Sequence, residues 1–187
     1  MDYRDRSSGM VMVYDPATGD VSITIGSEVD RLSSIESYRY GDWYDSNNQV
    51  FGTAYADVII GTNDSEYTGN GGIRGGDGND TISGNGGDDR IYGEGGDDRL
   101  SGDDGSDELY GGDGNDTQSG GAGDDGFFTD AGSDSINGGA GNDHYRMDYR
   151  DRSSGMVMVY DPATGDVSIT IGSEVDRLSS IESYRYG

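Results

Sequence analysis

The sequence predicts an all-β chain: a parallel β-solenoid of nonapeptide repeats, flanked by less regular β-rich coils. Two observations carry this. Eight aspartates recur every nine residues: Asp80, Asp89, Asp98, Asp107, Asp116, Asp125, Asp134 and Asp143. Each closes a six-residue stretch with a glycine two positions before it, from Gly78 to Gly141. Seven stretches also open with glycine, and the eighth opens with Thr129. Two positions after each aspartate stands a residue that is usually large and apolar: Ile82, Ile91, Leu100, Leu109, Gln118, Phe127, Ile136, Tyr145. Residues 75–146 are therefore eight unbroken copies of G-G-x-G-x-D-x-U-x. The second observation is internal identity: residues 1–41 are the same as residues 147–187.

Nine is not a helical period, and so many glycines disfavour a helix. Each unit divides into a Gly-rich turn of six residues and a strand of three. Glycine accepts positive φ and allows close approach of backbones, as a tight turn needs. In a three-residue strand only the middle side chain points inward, which is the apolar position. Two units make one coil, and stacked coils make two parallel sheets face to face. Ile82, Leu100, Gln118 and Ile136 are expected on one inner face, and Ile91, Leu109, Phe127 and Tyr145 on the other. Gln118 weakens its layer. A core one residue wide is thin, so something else must hold the turns.

The aspartates supply it. Units two apart stack, which brings Asp80 near Asp98 and Asp89 near Asp107. Neighbouring strands lie roughly 4.8 Å apart. Carboxylates at that spacing repel unless a cation lies between them. Carboxylate and backbone carbonyl oxygens in flexible loops suit Ca²⁺ better than Mg²⁺. With no Cys and a single His, His144, a zinc or soft-metal site lacks ligands. Residues 75–146 hold 16 Asp, 2 Glu and 3 Arg, a net charge of −15. Eight stacked units offer six intervals between a unit and the next but one, so about six Ca²⁺ would nearly neutralise the segment, with further ions in the flanking coils. Without metal the segment has the composition of a disordered chain. Asp98, Asp107, Asp116 and Asp125 each face two neighbours, while Asp80, Asp89, Asp134 and Asp143 face one within the regular ladder.

GGDGNDTIS (75–83), GGDGNDTQS (111–119) and GGAGNDHYR (138–146) carry a family resemblance. The segment resembles the RTX, or repeats-in-toxin, hemolysin-type calcium-binding β-roll, in its tandem-repeat secreted form. The resemblance implies that carbonyls of the second and fourth positions join the aspartates as ligands: Gly76 and Gly78, Asn85 and Gly87, Glu94 and Gly96, Asp103 and Gly105, Gly112 and Gly114, Gly121 and Gly123. It also implies export by a type I system and folding triggered by calcium outside the cell. Thr129-Asp130-Ala131 departs from the Gly-Gly opening at the site built around Asp134. No loop has the EF-hand pattern of an Asp-rich start, central Gly and Glu at position twelve.

The domain reading is threefold: 1–74, a β-rich segment leading into the roll; 75–146, the roll; 147–187, the start of the next identical 146-residue unit. Because Met1 matches Met147, Met1 need not be a natural start. A window cut from an array of identical units accounts for the identity, and an engineered second copy added as a cap is the rival. Val157–Tyr160 and Val167–Ile171 are β-rich runs. Asp161-Pro162-Ala163-Thr164-Gly165-Asp166 between them is a turn. Val167, Ile169 and Ile171 alternate with Ser168 and Thr170, so one face is buried. The order D-x-L-S-x-I-E (176–182) and G-T-x-x-x-D-x-I-x-G (52–61) is similar to segments that precede rolls in secreted RTX proteins, and these stretches are expected to form extra coils of the same solenoid. Asp57 then takes the aspartate position of a further turn. Over 61–74, Gly69 and Ile73 keep the beat but Gly71 replaces the aspartate.

The chain has no Lys, 12 Arg and a net charge of −25. That argues against nucleic acid, which requires a basic face. No apolar run is long enough for a membrane span. Nothing carries a catalytic motif, and His144 reads as a surface residue. The expected role is a calcium-stabilised structural repeat of a secreted, extracellular or cell-surface protein: a filament, surface layer or adhesin stalk whose partners are copies of itself, end to end and laterally. The alternative is a calcium-dependent polysaccharide- or surface-binding module appended to a secreted enzyme. That reading draws on Tyr3, Arg4, Arg6, Tyr38, Arg39, Tyr40 and their copies over 149–186.

Overall fold

The computed structural model describes residues 10–15, 20–25, 28–32, 49–52, 54–61, 63, 65, 72–129, 131–147 and 156–186. Among them the chain is all β. Its strands are β1 (Met10–Asp15), β2 (Asp20–Ile25), β3 (Glu28–Leu32), β4 (Gln49–Phe51), β5 (Val58–Ile60) and β6 (Gly72–Asp77). They continue with β7 (Thr81–Ser83), β8 (Arg90–Gly95), β9 (Arg99–Asp104), β10 (Glu108–Asp113), β11 (Thr117–Ala122) and β12 (Gly126–Thr129). The last six are β13 (Ser135–Ala140), β14 (His144–Met147), β15 (Met156–Tyr160), β16 (Val167–Ile171), β17 (Glu174–Ser179) and β18 (Ser183–Tyr186).

The nine-residue beat sends successive strands to opposite sheets. One sheet runs β15-β16-β17-β13-β11-β9-β7-β5-β1-β2-β3, and the other β18-β14-β12-β10-β8-β6-β4. Within the roll every neighbour is parallel and eighteen residues away: Leu109 lies opposite Ile91 and Phe127, and Gln118 opposite Leu100 and Ile136. Two nonapeptides thus make one coil, and the solenoid has about four. The expected inner faces form as two facing rows. Ile59, Ile82, Leu100 and Ile136 are buried in one, and Ile73, Ile91, Leu109, Phe127 and Tyr145 in the other. Ile73 sits opposite Ile91, so the beat at that position is kept although Gly71 lies outside the described residues.

Two expectations are corrected. The strands are longer than three residues: β8, β9, β10, β11 and β13 have six each and run on into the opening of the following unit. Pairing lapses at the opening glycine and resumes at the next two positions, with Gly112 opposite Glu94 and Asp113 opposite Gly95, so the turn shrinks. The second correction concerns the segment after 147. It does not simply add coils. β15, β16 and β17 form an antiparallel meander, which joins the roll through parallel pairing of β17 with β13. The links are too short for a parallel crossover. Gly172-Ser173 alone joins β16 to β17, with Gly172 at φ 63°, and the six-residue 161–166 turn joins β15 to β16. β1, β2 and β3 form the same meander in the same register. Only β18, parallel to β14, continues the second sheet.

The 161–166 turn forms as its residues dictate. The Asp161 side chain accepts the Ala163 N–H at 2.8 Å, and Gly165 takes φ 86°. Val167, Ile169 and Ile171 are buried, while Ser168 and Thr170 are partly exposed. The Tyr and Arg clusters at 3–6, 38–40 and 149–152 lie outside the described residues.

Gln118 occupies its core layer at 1% exposure, and neither its amide oxygen nor its amide nitrogen has a hydrogen-bond partner. Burial of an amide without partners costs about 1–3 kcal/mol. Gln118→Leu should therefore stabilise the calcium-loaded fold by a similar amount. A denaturant or thermal midpoint at or below that of the parent chain would contradict this account of the layer.

Candidate metal centre

Seven of the eight turns begin with a glycine, one begins with Thr129, and each ends with an aspartate. All eight aspartates and Asp57 are buried, at 2% exposure or less, and Asp176 is buried at 4%. The coil period places them in two lines, one on each side of the solenoid. On the first side the Oδ1 of Asp80 accepts the backbone N–H of Asp57 at 2.7 Å. Asp98 accepts that of Asp80, Asp116 that of Asp98, and Asp134 that of Asp116, at 2.8–2.9 Å. On the second side Asp107 accepts from Asp89, Asp125 from Asp107, and Asp143 from Asp125, again at 2.8–2.9 Å.

The lines do not stop at the regular units. Asp134 donates its N–H to Asp176 Oδ1 at 3.2 Å, and Asp143 donates to Glu182 Oε2 at 2.7 Å. The segment identical to 1–41 therefore carries both ladders past residue 146. Asp57 extends the first ladder at the other end, where it was expected. Asp80, Asp134 and Asp143 are consequently not terminal: each has a ladder neighbour on both sides. Asp176 and Glu182 were missed as ladder members, although the signal is present. Asp176-Arg177-Leu178 and Glu182-Ser183-Tyr184 keep the acid, any residue, apolar order of the repeat. Asp134 holds its place despite the altered opening before it.

The second carboxylate oxygen is the informative atom. In Asp80, Asp98, Asp116, Asp125 and Asp143 the Oδ2 is buried and has no hydrogen-bond partner. It faces the opening glycine of its own turn so closely that a Cβ on Gly93 would overlap Asp98 Oδ2 and lie 2.5 Å from the Gly111 carbonyl oxygen. The same holds at Gly75, where the neighbours are Asp80 Oδ2 and, at 2.8 Å, the Gly93 carbonyl oxygen. An orphaned, buried carboxylate oxygen near a backbone carbonyl oxygen fits a hard cation, for which oxygen is the suitable donor. Among the described residues no three acidic or His side chains converge, so the aspartates form lines rather than cages. Further ligands to a cation held there would be backbone oxygens or water.

The carbonyls named from the family pattern face along the stack. A Cβ on Gly96 would run into the Gly78 oxygen, one on Gly105 into that of Gly87, one on Gly112 into that of Glu94, and one on Gly121 into that of Asp103. The Asn85 carbonyl accepts the Asp104 N–H at 2.9 Å. Position two adopts the left-handed conformation, with φ 76° at Asn85, 77° at Glu94 and 73° at Asp103. At position four φ runs from 96° at Gly87 to 151° at Gly141, beyond what side-chain-bearing residues adopt. This is why Asn, Glu and Asp replace the second glycine but nothing replaces the fourth. The structure thus aligns the aspartates with one another and the carbonyls of positions two and four with the next turn. The Oδ2 atoms turn toward position one.

Burial is the main influence on these carboxyls. It pushes Asp80 and Asp125 up to about 7 and Asp98 and Asp116 to about 6, against a backbone N–H bond that pulls each down, with further upward pressure from neighbouring acids. His144 is exposed beside Asp143, as expected of a surface residue. On the outer face of the second sheet a stripe follows the apolar row. Arg74 lies 4.0 Å over the Tyr92 ring, Tyr92 stacks on Tyr110 at 4.6 Å, and Tyr110 on Phe128 at 4.2 Å. The ring faces are taken up by one another.

Two outcomes follow. Gly93→Ala should destabilise the loaded fold by about 1–3 kcal/mol or more through overpacking. Gly95→Ala, whose Cβ would meet nothing closer than Asp77 Oδ1 at 3.5 Å, should be near neutral. Equal calcium midpoints for the two variants would refute the glycine cradle. The second concerns the metal-free chain. Folded carboxyls titrating near 6–7, against 3.8 ordinarily, bind more protons than unfolded ones between those values. That stability is fully present below 3.8 and is lost as pH rises through 6–7. Chelated protein should gain β-structure on acidification from about pH 8 to about pH 5, and calcium should bind more weakly over the same range. A flat circular dichroism signal in chelator, with unchanged calcium affinity, would count against it.

The comparisons agree with this geometry. A search of curated proteins gives no match. The family model for the RTX calcium-binding nonapeptide repeat matches in four copies, at residues 44–71, 67–100, 92–127 and 119–146. Together these copies cover more than half of the 187 residues, and the chain belongs to the RTX calcium-binding nonapeptide repeat family.

Proposed function

We propose that this chain is a calcium-stiffened structural repeat of a secreted or cell-surface protein, assembled from identical units end to end into an extracellular filament, surface layer or adhesin stalk. The observation that carries the reading is the segment 147–187. It repeats 1–41 residue for residue, and its Asp176 and Glu182 accept the N–H groups of Asp134 and Asp143. A solenoid whose next unit supplies the continuation of its own ladders has no built-in end.

In this reading about six Ca²⁺ lie along the two ladders of residues 75–146, with more in the flanking turns. The Oδ2 atoms of Asp80, Asp98, Asp116, Asp125 and Asp143 and the equivalent aspartates would hold them, completed by carbonyls of the turns. Bound calcium supplies charge neutralisation between stacked carboxylates. The chain's own residues do the rest. The opening glycines leave room for Oδ2, the fourth glycines let turns approach, and the apolar rows set the coil spacing. RTX repeats occur in secreted proteins, and no helix among the described residues is long and apolar enough to cross a membrane. The role proposed is mechanical rather than catalytic. A sugar-binding face has less support, since a platform for sugar needs open ring faces and the Tyr92–Tyr110–Phe128 rings cover each other.

Calcium dependence tests the reading. Chelated chain at neutral pH should have little ordered structure, and millimolar calcium should restore β-structure cooperatively. Asp107→Ala, which removes a carboxylate from the middle of a ladder, should raise the calcium midpoint several-fold. Far-UV circular dichroism that is the same in chelator and in calcium would sink the proposal. So would electron micrographs of a multi-unit, calcium-loaded protein that show separate compact particles.

A further inference from the structure

One column on the outer face of the second sheet changes character along the roll. It runs Arg74, Tyr92, Tyr110, Phe128, Arg146, Arg185, each residue in register with the next. Near its start the arginines have carboxylate partners: Arg74 bonds Glu94 and Arg90 bonds Glu108, both at 2.7 Å. Arg146 and Arg185 are exposed, and among the described residues neither has an ion pair. They stand directly opposite each other on neighbouring parallel strands, roughly 4.8 Å apart. Like charges so placed destabilise a sheet. In a chain with 37 acids and 12 Arg, such a pair calls for an anion.

A notch of about 380 Å³ opens beside the pair. Its floor is Gly126, in the row between Glu108 and His144. The backbone does not require this glycine. Its φ is not left-handed, and a Cβ there would meet nothing closer than 3.5 Å. Glycine weakens a strand, and it commonly marks a place where a ligand or another chain approaches closely. Glu108 is held by Arg90 and by the Tyr110 hydroxyl. Asp88 and Asp124 stand on the far rim, each accepting a backbone N–H of the next turn. The notch is therefore basic at its arginine end alone.

The complement lies on the other side of the same roll. Asp77 and Asp113 occupy the third position of turns on that side, both exposed and with no ion pair among the described residues. Asp97 is exposed beside them, and Asp97 and Asp113 both lie near enough to Asp116 to raise its carboxyl. None of the three belongs to the buried ladders.

We propose that the notch beside Arg146 and Arg185 receives the acidic edge carrying Asp77 and Asp113 of a second copy, side by side. Guanidinium groups suit carboxylate guests. The two surfaces lie on different sides of one molecule, so the contact is heterologous and does not close. Combined with end-to-end growth it extends the array in a second direction, as a surface layer requires. Arg146 ends one unit and Arg185, the counterpart of Arg39, belongs to the next, so the pair is completed only where two units meet. This rests on the structural-repeat reading above and selects the layer among the roles proposed there.

Sedimentation of the full chain in calcium tests it. At about 0.1 M salt the parent should associate as concentration rises. At about 1 M salt, where screening acts within about 3 Å, it should disperse. Arg146→Glu with Arg185→Glu should weaken association about tenfold or more, and so should Asp77→Lys with Asp113→Lys. An equimolar mixture of the two reversed chains should associate again, because each then meets opposite charge. Mixing would not repair a structural defect.

A parent that folds in calcium but stays monomeric at about 0.1 M salt overturns the proposal. So do reversed chains that associate as the parent does, and a mixture no more associated than its components. Where a reversal costs the roll its circular dichroism in calcium, the neutral pair, Arg146→Gln with Arg185→Gln or Asp77→Asn with Asp113→Asn, takes its place. Association at the parent's level then overturns the proposal. If dextran sulfate binds a monomeric parent through the same arginines, the notch belongs to an outside anion and the self-contact is refuted. A chain that gains no β-structure in calcium defeats the functional reading instead, and this inference with it.

Discussion

Buried negative charge is the constraint on which the rest of this structure depends. Two lines of aspartates run through the solenoid, and Asp80, Asp98, Asp107, Asp116, Asp125, Asp134 and Asp143 are each tied by one oxygen to the backbone of the turn before. The other oxygen of Asp80, Asp98, Asp116, Asp125 and Asp143 is left without a hydrogen bond inside the protein. The apolar rows are one residue wide on each side and cannot offset that repulsion by themselves. Nearly every local feature of the repeat answers to it. The opening glycine leaves space for Oδ2, and the fourth glycine lets one turn's carbonyl approach the next. The apolar residue two places on sets the coil spacing that stacks each carboxylate on the turn before it.

Much of this was legible in the sequence because the period is strict. A beat of nine with one apolar position decides which residues share a sheet, and Ile82, Leu100, Gln118 and Ile136 line up as that beat requires. The two ladders follow from the same arithmetic. Strand length did not follow, because a glycine reads equally as turn or as strand. Only the close approach of successive turns shows that pairing resumes just beyond it. The meander was also misjudged. Its alternating residues identify a half-buried strand but not the direction of its partner. Direction is set by the length of the links, and Gly172-Ser173 is too short for anything but reversal. Asp176 and Glu182 were hidden by irregular spacing: they stand 42 and 39 residues after their ladder neighbours rather than 18.

The junction shows how a solenoid can change its construction without losing its axis. Between β13 and β17 the chain makes an excursion through two antiparallel strands, yet Ile136 still meets Leu178, and Tyr145 still meets Tyr184. Tyr145 also donates its hydroxyl to Asp176 at 2.7 Å, which ties the apolar row of one sheet to the ladder of the other side. Apolar rows and acid ladders cross the junction together, so the two systems remain in phase.

The eighteen-residue coil has one further consequence. In the array proposed above, each 146-residue unit contributes eight strands to the longer sheet. At roughly 4.8 Å per strand it therefore advances the axis by about 40 Å. Drawn out at about 3.3 Å per residue, the same unit would span about 480 Å. A tether made of such units would therefore lengthen about twelvefold when fully drawn out.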